Sequence, residues 1–257
     1  MSHLIDDTNY LQFLNEHYGR TDGLAGLIPR DYEAIPFGSM PYTAPFSASV
    51  PIIPESEWPA RIAAMQGRFI RNLYTDTVPD KSQGQLPYCW AWSLCQCIES
   101  GRAIAGMPTV SLAPVSLGGS VGFRRQGNYC GAAIEYAAEH GACDDIFPDS
   151  QYSLTPSRWR TGWQEEAKNH RVAEFWELGN TDMWKETVTA LLCGFSVYVG
   201  YNFWSHAVML DELVIQGSEI CVSGPNSWGP GQRFVLKGSR KVPSEAYVVR
   251  TTVFSNS

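Results

Sequence analysis

The stretch "SQGQLPYCWAWSLCQCIES", residues 82–100, places two glutamines and a glycine six or fewer positions before Cys89, and a tryptophan directly after it. A polar, turn-rich loop gives way here to an apolar run, which predicts a helix from Cys89 to about Ser100. The first N–H groups of a helix have no intrahelical partner, and the helix dipole adds positive potential there. Both favour a thiolate, the reactive form of cysteine. A buried structural thiol is the other reading of Cys89, and position alone does not separate the two. Cys95 and Cys97 read as ordinary helix residues, and Trp90 and Trp92 as packing that seats the helix.

The rest of the chain narrows the classes. Its 257 residues suffice for one large domain or two lobes around a core. A net charge of -7 and the lack of a lysine–arginine cluster argue against nucleic acid and anionic membrane as partners. No stretch approaches the ~18 apolar residues of a membrane span. The start "MSHLIDDTNY" does not read as a signal peptide. Seven cysteines without regular spacing predict free thiols in a reducing compartment, so a cytoplasmic or particle-associated location is expected.

Residues 1–20 carry apolar positions compatible with one short amphipathic helix. Residues 28–59 then hold seven prolines, which exclude a helix or a central strand. That segment predicts an extended strap over a folded body, anchored by Tyr32, Phe37, Tyr42 and Phe46. The chain therefore divides into a 1–55 extension, acting as strap or docking arm, and a 56–257 domain. Within the domain helices gather early, in "YCGAAIEYAAEHGAC" and "DMWKETVTALLCG" among others. Short β-branched runs gather late: "FSVYVGY", "HAVMLDELVI", "SEICVSG", "QRFVLKG" and "AYVVRTTVF". The pattern predicts an α+β fold, with a helical lobe over about 80–175 and an antiparallel β lobe over 176–257.

A thiolate nucleophile needs a base, and the base needs an orienting group. Among the five histidines His206 stands apart, opening an apolar strand after the aromatic loop "NFWS". Asn226, in "PNSWG", has a side-chain carbonyl able to accept an imidazole N–H and fix the tautomer. Trp228 could cover that bond from water. Gln83, six residues before Cys89 with Gly84 beside it, could fold back as an oxyanion donor together with the Cys89 N–H. A core histidine, a Pro-Asn turn and a buried thiol remain the structural alternatives for these positions.

Together these pieces resemble the papain family of cysteine peptidases. "QGQLPYCWAWS" is similar to its Gln-Gly-x-x-x-x-Cys-Trp-Ala-aromatic-Ser segment, "SHAVML" to its His-Ala/Gly-Val segment, and "PNSWG" to its Asn-Ser-Trp-Gly. The resemblance covers roughly residues 80–240 and preserves the order Gln, Cys, His, Asn. It implies a helical left lobe and a β-barrel-like right lobe with a cleft between them. It implies Cys89 as nucleophile, His206 as acid/base, Asn226 as orienter, Gln83 as oxyanion donor and Trp228 as shield. Trp90 supports the nucleophile helix, and Trp204 and Ser205 are expected to line the substrate pocket. No cofactor or metal is implied, and the expected partner is a peptide or protein substrate.

The departures from the family pattern carry expectations too. Leu86 stands where a framework disulfide cysteine is usual, leaving Cys130 unpaired. Cys130-Gly131-Ala132-Ala133 stands for the family's Cys-x-Gly-Gly, so the methyls of Ala132 and Ala133 are expected to crowd a backbone-pairing groove. The lead-in "IPESEW" resembles papain-like chains encoded by phages. The main alternative to a thiol hydrolase is therefore a papain-fold docking component of a larger assembly, such as a phage particle, joined to other chains through the N-terminal extension. A zinc protein is the poorest reading, because Cys95, Cys97 and Cys143 lack paired Cys-x2-Cys spacing.

Overall fold

The computed structural model describes residues 2–18, 26–74, 78 and 80–253. The first segment divides into strand β1 (Ser2–Ile5) and helix α1 (Tyr10–Tyr18) rather than one helix. The break lies at Asp6, whose carboxylate accepts the N–H groups of Thr8 at 2.8 Å and Asn9 at 3.2 Å. A side chain that caps its own backbone in this way starts a helix and ends what precedes it. Ser2–Ile5 can then extend and pair in parallel with Arg233–Leu236.

The extension also carries β2 (Thr43–Pro45), and α2 (Trp58–Met65) and α3 (Ile70–Leu73) follow it. The helical lobe follows, with α4 (Cys89–Ile104), α5 (Cys130–Glu139) and α6 (Trp163–Ala167). Strand β3 (Val172–Leu178) leads to α7 (Met183–Leu192), which Asp182 caps through the Lys185 N–H at 3.0 Å. The remaining strands are β4 (Val197–Tyr201), β5 (His206–Leu210), β6 (Glu212–Gln216), β7 (Glu219–Pro225), β8 (Arg233–Leu236) and β9 (Glu245–Thr252).

Nine strands make two sheets among the described residues, in the orders β1-β8-β7-β6 and β2-β3-β9-β4-β5. Pairing is antiparallel except for β1 with β8 and β2 with β3, both contributed by the extension. The expected α+β class is observed, but the strands do not close into a barrel among the described residues. The run "HAVMLDELVI" is broken at Asp211, whose buried carboxylate is gripped by Arg233, with Nη1 at 3.0 Å. β5 and β6 consequently lie at the edges of different sheets.

Two cores result. One surrounds α4 and holds Trp90, Trp92, Ile98, Ile134 and Leu117, together with Leu27 from the extension. The other lies between the sheets, α2 and α7, and holds Phe46, Trp58, Val188, Val208 and Phe234. The extension is thus stitched into both. Phe46 is the aromatic of the expected four that anchors it, whereas Tyr32 and Tyr42 are exposed. All seven cysteines are free thiols, and Leu86 is a buried core residue of the helical lobe.

Candidate active site

Cys89 is the first residue of α4 and His206 the first of β5, so each is placed by the end of a regular element. The two elements meet where the lobes join. The backbone N–H of Ala207, the residue after His206, donates to Cys89 Sγ at 3.4 Å. His206 Nε2 lies 3.0 Å from Asn226 Oδ1. An amide oxygen only accepts, so Nε2 carries the hydrogen and Nδ1 is the basic nitrogen of the neutral ring. Trp204 and Trp228 flank the imidazole, with ring centroids 4.8 and 5.9 Å away.

Gln83 is fully buried and held at three points. Its backbone N–H donates to Ser227 O at 2.8 Å, its Oε1 accepts the Ser227 hydroxyl, and its Nε2 donates to Leu86 O at 2.8 Å. Ser227 was not singled out from sequence, although it lies between Asn226 and Trp228 in the same motif. Ser82 forms an antiparallel bridge with Trp228, so the glutamine loop and the asparagine loop are one paired unit.

The segment that faces this centre is the extension itself. Leu27 N–H donates to Ser205 O at 3.1 Å, Ile28 N–H to Asn128 O at 3.0 Å, and Asn128 N–H to Gly26 O at 2.9 Å. Gly26 lies against Pro87 and the sulfur of Cys89, where a Cβ would collide with the Pro87 carbonyl. A Cβ on Gly127 would collide with the Gly26 carbonyl, so this close approach requires glycine on both sides. The Leu27 side chain packs over Gly200, its Cδ2 3.1 Å from where a Cβ would sit.

Three residues on, Arg30 ties the strap to the β lobe. Its guanidinium pairs with Glu177 and donates to Tyr247 Oη at 2.8 Å, Pro36 O at 2.7 Å and Ile35 O at 3.0 Å. Both partners of the ion pair are almost fully buried.

Several expected support residues stand elsewhere than foreseen. Ser205 lines the cleft through its carbonyl, but Trp204 is buried between Phe13, His206 and Phe234. Gly131 sits inside α5 against Met40, and Ala132 is half-buried beside it. The cleft edge is instead Gly127-Asn128, and its backbone is paired rather than crowded. Trp90 is fully buried and donates to Pro87 O at 3.1 Å. Trp228 also stacks on His17 of α1, with centroids 5.2 Å apart.

Occlusion sets the protonation states. Burial pushes the Cys89 thiol up to about 11, against the pull of the N–H groups of Ala207, Gly26 and Trp90. Burial lowers His206 to about 4, opposed by the bond to Asn226. Both groups are neutral across the physiological range in this conformation. Among the described residues no cluster of His, Cys, Asp or Glu could hold a metal ion, and no helix is long and apolar enough to cross a membrane.

No protein-family model and no curated protein sequence matches the chain. Solved structures do. Procathepsin L 3 from the Tenebrio molitor larval midgut matches with a TM-score of 0.61 at 13% identity, over 95% of this chain and 79% of that one. A mite allergen from the Blo t 1 and Der p 1 comparison gives 0.56 at 14% identity, over 96% and 91%. Procathepsin B S9 from Trypanosoma congolense gives 0.55 at 13% identity, over 89% and 83%. The chain has the papain-like fold. At these identities the likeness concerns architecture, and the chemistry rests on the residues described above.

Proposed function

We propose that the chain is a papain-like thiol hydrolase of peptide or amide bonds, held latent in this conformation by its own residues 26–30. One observation carries the reading. Cys89 at a helix start, the His206–Asn226 bond and the Gln83–Ser227 clamp converge at the lobe junction, in a fold otherwise found in cysteine proteases. The procathepsins are precursors by name, which agrees with a cleft filled by the chain's own extension.

When a substrate replaces the strap, the Cys89 proton passes to His206 and the thiolate attacks the carbonyl carbon. The carbonyl oxygen becomes an oxyanion, met by the Cys89 N–H and the Gln83 amide. His206 gives its proton to the leaving amine as the C–N bond breaks, leaving a thioester. Water, deprotonated by His206, then attacks the thioester and frees the acid and the thiol. Asn226 keeps the ring in the required tautomer throughout.

The test is turnover of a mixture of peptidyl aminomethylcoumarin amides by the chain carrying Arg30→Met, which removes the buried tie of the strap, and by the same chain with Cys89→Ser or His206→Ala added. Release of coumarin by the Arg30→Met chain alone is expected. Equal release by all three would sink the reading.

A second reading, a docking component of an assembly, is favoured by β1 and β2, which tie the extension into both sheets. It requires that no peptide be turned over even when the strap is loosened, and that the chain co-purify with other chains.

A further inference from the structure

The loop carrying Gln83 has no regular structure of its own, and Gly84 at φ +55 separates it from the nucleophile helix. Its distance from Cys89 must therefore be set by contacts at its other end. On one side residues 81–83 are paired with the β lobe. Gly229 N–H donates to Lys81 O at 3.2 Å, Ser82 bridges Trp228, and Gln83 N–H donates to Ser227 O at 2.8 Å.

On the other side the Lys81 side chain reaches into the helical lobe. Its Nζ lies 2.9 Å from Glu99 Oε1 and 3.0 Å from Leu112 O, and it donates to Ser111 Oγ at 3.3 Å. Glu99 Oε1 also accepts the Leu112 N–H at 2.7 Å. Glu99 is on α4, ten residues after Cys89 and so roughly 15 Å along the axis of the same rigid helix.

Glu99 is fully buried, and the Lys81 side chain is 10% exposed. Replacing a buried pair by apolar side chains of the same shape is often neutral or stabilising. What the pair supplies here is direction. An ammonium with several fixed acceptors holds the loop at one place against the helix.

Resting on the hydrolase reading above, we propose that Lys81 is a positioning residue. The Lys81–Glu99 pair fixes the Gln83 amide and the Trp228 cover against Cys89 by tying the loop they share to the nucleophile helix. Lys81 touches no reacting atom and acts through Gln83. Without its ammonium, Gln83 and Trp228 follow the β lobe, and their distance to Cys89 varies with the motion of the lobes. A displacement near 1 Å in such a site costs up to about 10²-fold in rate.

The experiment is run in the Arg30→Met chain, whose strap is loosened, and compares it with the same chain carrying Lys81→Met, Lys81→Arg, Gln83→Ala or Lys81→Met together with Gln83→Ala. Glu99→Gln serves if Lys81→Met does not fold. Peptidyl aminomethylcoumarin amides report kcat and KM, and amide hydrogen exchange reports the N–H groups of Gln83 and Gly229. Lys81→Met is expected to lower kcat roughly 10- to 100-fold with KM little changed. Arginine should restore most of it, and the loss should vanish in the Gln83→Ala background, with faster exchange at both amides. Unchanged exchange, or losses that simply multiply in the double variant, overturn the proposal. If the Arg30→Met chain hydrolyses no probe while Lys81→Met still speeds exchange, the hydrolase reading fails and the placement of Gln83 by Lys81 stands.

Discussion

Arg30 is the residue whose removal should separate the strap from the cleft. Its guanidinium is almost fully buried against Glu177 and satisfies Tyr247 Oη and two backbone carbonyls of the strap. Arg30→Met keeps the stem and removes the charge. It leaves the Glu177 carboxylate buried with the Gly38 N–H at 2.8 Å. Removing one partner of a buried pair costs about 3–5 kcal/mol. If that energy bears on the strap's local opening, the open population rises by roughly two to three and a half orders of magnitude. The assay is iodoacetamide labelling at pH 7.5, mapped by mass spectrometry. Cys193 is exposed and serves as an internal standard. In the unaltered chain Cys193 should label first and Cys89 hardly at all. In Arg30→Met, Cys89 should label at least about 10²-fold faster while Cys193 is unchanged. An unaltered Cys89 rate in a folded Arg30→Met protein would refute the assignment of residues 26–30 as the occluding segment.

Gly127→Ala tests the same segment from the opposite wall, because its methyl would meet the Gly26 carbonyl. Faster Cys89 labelling and a lowered melting temperature are expected; a normal Leu27 amide exchange rate would count against the pairing. His206 makes a separate prediction about acid. Its folded pKa, about 4, lies below the ordinary 6.5. The unfolded chain then binds more protons between those values, so stability is present above pH 6.5 and falls as the pH drops towards 4. The contribution lost is about 3 kcal/mol. Urea unfolding at pH 7.5 and 4.5 should show this loss in the unaltered chain and lack that share of it in His206→Gln. Equal pH dependence in both would contradict a buried neutral imidazole.

Much of the site was legible because its signals are local. The change from polar loop to apolar run marked the start of α4, and the short β-branched late runs became β4 to β9. Gln83, Cys89, His206 and Asn226 were read from spacing and motif order, and the structure brings their loops and element ends together at one junction. What escaped depends on distant partners. β1 is four residues long and extended only because β8, more than two hundred positions later, offers a parallel edge. β3 lies in "VAEFWEL", where two glutamates mask the strand pattern. Arg30, in "PRDY", reads as a solvated charge until Glu177, 147 positions away, is placed beside it. The cleft edge was read four residues late, at Gly131-Ala132 instead of Gly127-Asn128. The sequence cue was a cysteine, and it turned out to begin the helix instead of edging the cleft.

Occlusion and protonation are linked in this molecule by one physical cause. The strap removes water from Cys89 and His206, and that loss raises the thiol and lowers the imidazole. A thiol near 11 is ionised to roughly one part in ten thousand at pH 7, so the closed cleft is silent even to a reagent small enough to enter it. Displacing residues 26–30 would hydrate both groups and move both pKa values back towards each other. Access and nucleophilicity would then return together, without a separate activating residue. A fold used only for docking has no need of a histidine held in one tautomer by Asn226, nor of a glutamine clamped at backbone and side chain by Ser227. Those restraints are the ones acyl transfer would use, and they favour the proposed latent hydrolase over a docking fold.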